Sequence, residues 1–336
     1  MADVDLRPKR IADFIEQFYV KPGRRVRLPR DFDPAGTRKV TKSQAKEILA
    51  SAVELLAEYQ DRLAAQDTYG LVIVLQAMDA AGKDGTIKHV MSGVNPQGVT
   101  VNSFKVPSVE ELDHDYMWRY AKAMPGRGHI GIFNRSYYEE VLVVRVHPAI
   151  LAGQKLPPSA KRSGVWQRRF REINDWERYV TDNGFRIVKL FLNLSKEEQR
   201  RRFLARIDLP DKNWKFSSND AKERAYWDDY QKAFSDVLSN TSTEWAPWYV
   251  IPADDKPFAR VASAGVIANA LIGIDPRYPV VTSEQKADLL VAKQALEAEA
   301  PRGATPDPIE AELAAATAKD VEPAKAKRGK GKTKTG

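Results

Sequence analysis

The residues best suited to chemistry lie in Leu71–Thr86, which reads LVIVLQAMDAAGKDGT. Branched apolar residues, Leu71–Leu75, end in a small-residue loop holding Gly82, Lys83, Asp84 and Gly85, and a helical pattern follows from Thr86. A strand, a glycine loop with a lysine, and a helix together grip phosphate through inward N–H groups, a point charge and the helix dipole. The usual pattern is G-x-x-x-x-G-K-[ST]. Here Ala77 stands for the first glycine and Asp84 for the Ser or Thr. Asp79 and Asp84 bring two carboxylates to the same place. Carboxylates repel phosphate unless a cation intervenes, so the expected cofactor is Mg²⁺, with Mn²⁺ as a substitute, held by Asp79 and Asp84 directly or through water. The bland alternative is an ordinary strand-to-helix turn with Lys83 in solvent.

Two further segments carry candidates. In Gly128–Val146, GHIGIFNRSYYEEVLVVRV, an apolar strand at Ile130–Phe133 delivers Asn134, Arg135, Ser136 and Glu139 to its C-terminal end. In open parallel sheets that end faces the ligand crevice. Arg135 can pair bidentately with phosphate, and Glu139 and Glu140 can meet metal or substrate. Alternatively Arg135 and Glu139, four apart, simply pair with each other. In Ser195–Arg224, basic residues including Arg200, Arg202, Arg206 and Lys215 lie on a helix–loop–helix, which suggests a lid over an anionic substrate at about 195–224. Solvated surface is the common fate of such charge, and Arg201 is expected to be of that kind. Asp254, Asp255, Lys256 and the aromatic run Trp245–Tyr249 read as structural.

The elements that must position these residues follow from periodicity. Strands are expected at Leu71–Leu75, Val99–Phe104, Ile130–Phe133, Ile187–Leu192 and Trp248–Ile251. Helices are expected from Thr41 to about Gln66 and at Thr86–Ser92, Ser108–Ala123, Trp166–Asn183, Ser195–Ile207, Asp220–Leu238 and Pro257–Leu271. Alternation of the two predicts an α/β fold with a parallel sheet covered on both faces. Residues 1–40 read as an arm packed on the core or partly loose, 41–280 as the domain that carries the phosphate loop, and His147–Gly164 as a surface loop. From 281 to 336 the chain reads as a mostly disordered tail, with a transient helix at Glu284–Ala300.

Composition narrows the chemistry. The 336 residues contain no cysteine and four histidines, none at zinc-ligand spacing, so thiolate catalysis, disulfides and cysteine-bound metals are excluded. The absence of a signal-like start and of an apolar run of about 18 residues predicts a cytoplasmic protein with no membrane partner. Net charge is +8. The last fourteen residues hold six basic residues and no acid, and 281–322 holds four basic and nine acidic, which leaves +7 on the rest. A basic core suits a polyanionic partner.

The segments MDAAGKDGT, IFNRSYYEEVLVVRVHP, SKEEQRRRFLARID…DKNWKF and STEWAPWYVIPAD, spread in order over Arg24 to Leu271, resemble polyphosphate kinase family 2. The resemblance implies a P-loop kinase-like, thymidylate-kinase-like three-layer sandwich with a central parallel sheet and a helical lid. It implies Mg²⁺-dependent, reversible transfer of the terminal phosphoryl group of inorganic polyphosphate to a purine nucleoside mono- or diphosphate, by in-line attack without a phospho-enzyme. Asp79, Lys83 and Arg135 would be catalytic. Gly82, Lys83, Asp84, Gly85, Thr86, Arg135, Arg200, Arg202, Arg206 and Lys215 would bind phosphate, and Asn134 and Glu139 the nucleotide. The N-R-S-x-Y-E form at Asn134–Glu139 is similar to members acting on monophosphates or on both, where diphosphate-restricted members tend to have Asp and Asn. A homo-oligomer, dimer or tetramer, is expected, and the lysine-rich 323–336 is expected to bind polyanions. The rivals are an ATP-dependent kinase of nucleotides or small molecules on the same fold and, more distantly, a basic nucleic-acid-binding protein.

Overall fold

The computed structural model describes residues 7–36, 41–211, 213 and 217–299. They fall in two compact units, Met1–Pro279 and Val280–Gly336. The first contains, in chain order, α1 (Arg7–Ile15), α2 (Lys42–Gln66), β1 (Gly70–Ala77), α3 (Lys83–Val90), β2 (Val99–Ser103), α4 (Val109–Asp113), α5 (Trp118–Lys122), β3 (Ile130–Asn134), α6 (Val143–Val146), α7 (Pro148–Gly153), α8 (Val165–Asp182), β4 (Phe185–Asn193), α9 (Lys196–Asp208), α10 (Ser218–Glu223), α11 (Trp227–Thr241), β5 (Trp248–Pro252) and α12 (Lys256–Ile274). The second contains α13 (Ser283–Ala298).

The five strands form one parallel sheet in the order β2-β3-β1-β4-β5. A strand buried on both faces has no polar side to show, and β1 is a continuous apolar run for that reason. Leu71, Ile73 and Leu75 face a core built with α2 and α12, including Leu56, Leu63, Val266 and Ile267. Val72 and Val74 face the other core, with Phe170 and Ile173 of α8 and Phe234 and Val237 of α11. This is the expected three-layer α/β arrangement. The winding reverses at β1, since β2 and β3 lie to one side and β4 and β5 to the other, and a crevice opens at such a point beyond the C-terminal strand ends. The register sets Asn134 beside Leu75 and Ser103, so the ends of three adjacent strands meet at one level.

Several expectations need correction. The helix read over Ser108–Ala123 is two helices. Ser108 and Glu111 do form the capping box, but the chain is extended at His114, and Asp115 restarts it by accepting from the Met117 N–H. The helix read over Asp220–Leu238 is α10, a 3₁₀ turn at Arg224–Tyr226, and α11. His147–Gly164 contains α7, and Gln154 ties it down through Glu140 and Arg169. The described part of the N-terminal arm needs none, taking the packed form of the two expected: Ile15 and Phe18 are buried, and Phe14 and Phe18 meet Phe258 edge-on. α12 is, by length and composition, apolar enough to cross a membrane, which the expectation of no long apolar run missed. Twelve of its nineteen residues are buried in the core. In the second unit, α13 is a regular helix with a Thr282–Gln285 capping box and no buried residue.

The most deeply buried ion pair among the described residues joins β4 to α8. Lys189 of β4 and Glu177 of α8 are fully buried, with Nζ 2.6 Å from Oε2. Nζ also donates to the Thr241 carbonyl and the Tyr138 hydroxyl, and the hydroxyls of Tyr137 and Tyr138 donate to Glu177 Oε1. Burial pushes the Lys189 pKa down to about 8 and Glu177 upward, and each charge opposes the other's shift. Removing one partner strands a buried charge. Lys189→Met is expected to cost about 3–5 kcal/mol. Urea unfolding would measure it, and a loss below about 1 kcal/mol would contradict this reading.

Candidate active site

The phosphate loop is residues 78–82, between β1 and α3. Gly82, at φ 107°, occupies a left-handed conformation that suits a residue without Cβ, and it precedes the first residue of α3. Ala80 (φ 63°) and Arg135 (φ 65°) take left-handed conformations without that exemption. Such strain, about 1–3 kcal/mol each, persists only where neighbours over-determine it. Here they do: the Ala80 carbonyl accepts from Arg202, and the Arg135 N–H donates to the Leu75 carbonyl.

The loop brings together residues far apart in sequence. Lys83 Nζ donates to the Ala77 carbonyl at 2.9 Å. Arg135 lies 3.2 Å from Asp79 and 3.8 Å from Glu139, so the pairing of Arg135 with Glu139 exists, as part of a larger cluster. Asn134 Nδ2 donates to Asp84 at 2.8 Å. Asn134 Oδ1 is buried without a partner among the described residues. Burial lowers the Lys83 pKa and the Arg135 charge lowers it further, against Asp79, Glu139 and Asp84. Burial raises Glu139 against the charges of Arg135 and Lys83. Burial also works against the Arg135 charge, but Glu139 and Asp79 carry its pKa upward. Asp79 and Asp84 each give one oxygen to these bonds, at the head of a helix. Two carboxylates with an oxygen each outside these bonds fit a hydrated Mg²⁺, which shares its remaining positions with substrate phosphates. No group of three or more His, Cys, Asp or Glu among the described residues makes a self-sufficient metal cage.

α9, read from the sequence as part of a lid, departs from expectation. Arg202, read as a phosphate ligand, is buried, and its donors are spent on the protein: Nη1 on the carbonyls of Ala80 and Ala81, Nη2 on those of Ala253 and Asp254, Nε on Glu198. It braces the loop from behind. Gln199, one turn earlier, donates to the Asp79 carbonyl and accepts from Arg224. Sequence reading missed Gln199. The available signal was the spacing of Gln199, Arg202 and Phe203, which puts polar groups on the buried face of a helix. Arg200 is exposed and bonded to Glu197, and Arg201 is exposed beside Glu197 and Glu198. Arg206 stands 3.7 Å from Asp220, whose carboxyl is pushed up by burial and then by the Asp79 charge. Thr86 is buried and lines a small apolar cavity together with Ile73 and Leu75. Lys215 lies outside the described residues. Asp254 accepts from the Ser195 N–H, and Asp255 caps α12, the structural roles expected of both.

Truncating Arg202 leaves four carbonyls without their donor. Arg202→Ala is expected to lose about 3 kcal/mol or more, and Arg200→Ala less than about 0.5 kcal/mol. Thermal unfolding of the two variants side by side checks this, and equal losses would refute the brace.

The chain has known relatives. The family model described as Polyphosphate kinase 2 (PPK2) matches residues 39–277. An ADP-polyphosphate phosphotransferase of Rhodopseudomonas palustris is 49% identical over 285 residues, covering 84% of this chain and 98% of that protein. An AMP/ADP-polyphosphate phosphotransferase of Meiothermus ruber is 43% identical, covering 79% and 96%. A crystal structure of Polyphosphate Kinase 2 from Arthrobacter aurescens TC1 superimposes with a TM-score of 0.69 at 38% identity, covering 82% of this chain and 98% of that one.

Proposed function

The chain belongs to the polyphosphate kinase 2 family, and we propose that it transfers the terminal phosphoryl group of inorganic polyphosphate to a nucleoside diphosphate or monophosphate. The observation that carries this is the cluster of Lys83, Arg135, Asp79 and Asp84 at the winding reversal of the sheet. The relatives named above act on ADP, or on AMP and ADP, with polyphosphate. The Asn134 and Glu139 pair, of the form linked to monophosphate or dual use, supports acceptance of both.

The chemistry needs positioning and charge neutralisation more than a base, because the acceptor is already an anion. Lys83, released from the Ala77 carbonyl, neutralises the transferring phosphoryl group. Arg135 orients the acceptor phosphate, and its own position is fixed by Asp79 and Glu139. Inward-facing N–H groups of the loop receive oxygens of the donor chain. Bound Mg²⁺, held by Asp79 and Asp84, would screen the repulsion between the two polyanions. An oxygen of the acceptor phosphate attacks the terminal phosphorus in line, and the shortened polyphosphate leaves with the bond's electron pair.

The direct test is formation of ATP from ADP, and of ADP from AMP, with polyphosphate and Mg²⁺ and no nucleoside triphosphate present. Product formed only when ATP is supplied would favour the ATP-dependent rival. Lys83→Ala should reduce turnover at least about a hundredfold, the scale of losing one key electrostatic donor. The pH profile carries a sign: Lys83 must be protonated, and its pKa is lowered. kcat/KM should therefore fall on the alkaline side at a pH below the usual lysine range. Lys83→Arg should move that limb upward, and an unmoved limb would assign it to another group.

A further inference from the structure

The arginines around the phosphate loop have partners inside the protein, with one exception. Arg135 meets two carboxylates, Arg202 four carbonyls and Glu198, Arg206 Asp220, and Arg224 the Lys196 carbonyl and Gln199. Arg260, in the second turn of α12, has no hydrogen bond or ion pair with any described residue. It is half-buried, and burial lowers its pKa with no carboxylate to offset the cost. A partly desolvated guanidinium without a counter-charge is unfavourable in the free protein, and an anion that binds there repays the cost.

Its place says which anion. A Cβ built on Gly85 would lie 4.0 Å from Arg260 Nη2, so the guanidinium flanks the first turn of α3. Gly85 presents no side chain between them. Asp84, the preceding residue on that turn, is held by Asn134 of β3. The first turn of α3 thus has an acidic, β3-facing side and a cationic, α12-facing side. A linear polyphosphate whose terminal phosphoryl lies at Lys83 carries a charge on every unit behind it, and those units need a cationic exit that avoids Asp84. The acceptor belongs on the other side, where Arg135, Asn134 and Glu139 converge.

We propose that Arg260 binds the phosphoryl units behind the transferring one, so that the polyphosphate donor leaves the loop over Gly85 toward α12, opposite the nucleotide. This rests on the polyphosphate reading above and adds the donor's direction and a ligand for it. Arg is suited to the task because its fork matches two phosphate oxygens at once, a geometry Lys lacks.

The test compares wild type, Arg260→Ala and Arg260→Lys with defined polyphosphate lengths. Equilibrium binding of polyphosphate alone is measured beside steady-state kinetics with ADP. Loss of a charge-assisted contact should raise the Kd and KM for long polyphosphate about tenfold or more in Arg260→Ala. Arg260→Lys should recover part of this. The KM for ADP should stay unchanged, and the penalty should shrink for the shortest donors that still react. Unchanged polyphosphate affinity in a folded Arg260→Ala protein, or a raised KM for ADP alone, overturns the assignment. A wild-type protein that ignores polyphosphate but uses ATP instead fails the functional reading itself, a result distinct from either.

Discussion

The guanidinium of Arg202 is where three segments of the chain meet. It holds the outer carbonyls of the phosphate loop, the carbonyls that end β5, and its own helix through Glu198. A peptide whose carbonyl is pinned outward turns the next N–H the other way. Four bonds to main-chain carbonyls, two of them in the loop at Ala80 and Ala81, therefore orient the amides that a phosphate would meet. Gln199 extends the same grip to the Asp79 carbonyl, so the backbone under the Asp79 carboxylate is held from α9 as well. The left-handed Ala80 is tolerated within this frame. Without the brace, the loop has an energetic reason to relax.

This arrangement explains a division within α9. Its inner face is part of the scaffold, and its outer face carries Arg200 and Arg201 in exposed pairs with Glu197 and Glu198. Charges on one helix thus serve two purposes, separated by a rotation of about 100° per residue. Counting basic residues along Ser195–Arg224 treats them as equivalent. Their burial shows that they are not.

Much of the frame is legible in the sequence because its signals are local. The apolar run in β1, the Thr41–Gln44 capping box and the strand ending in Asn134 each depend on a few neighbouring residues. The gathering of Asp79, Lys83, Arg135 and Asn134 follows from placing strand ends beside one another. The breaks at His114 and at Arg224–Tyr226 are less legible, since helical periodicity runs through both: the first is made by the local Asp115 bond to the Met117 N–H, the second lies where Arg224 is tied to Lys196 and Gln199 of α9. The fate of Arg202 is least legible. Whether an arginine faces a ligand or a carbonyl depends on loops from distant segments, and no spacing within α9 encodes Ala80, Ala253 or Asp254.

The hydroxyls of Tyr137 and Tyr138 end on the fully buried Glu177, and these tyrosines follow Arg135 by two and three residues. The segment carrying the acceptor-side arginine is therefore stitched into the interior of the protein. It cannot slacken on warming while the remainder stays intact, because its anchors are the same bonds that keep α8 on β4. Loosening of this segment and melting of the sheet should coincide as a single cooperative event.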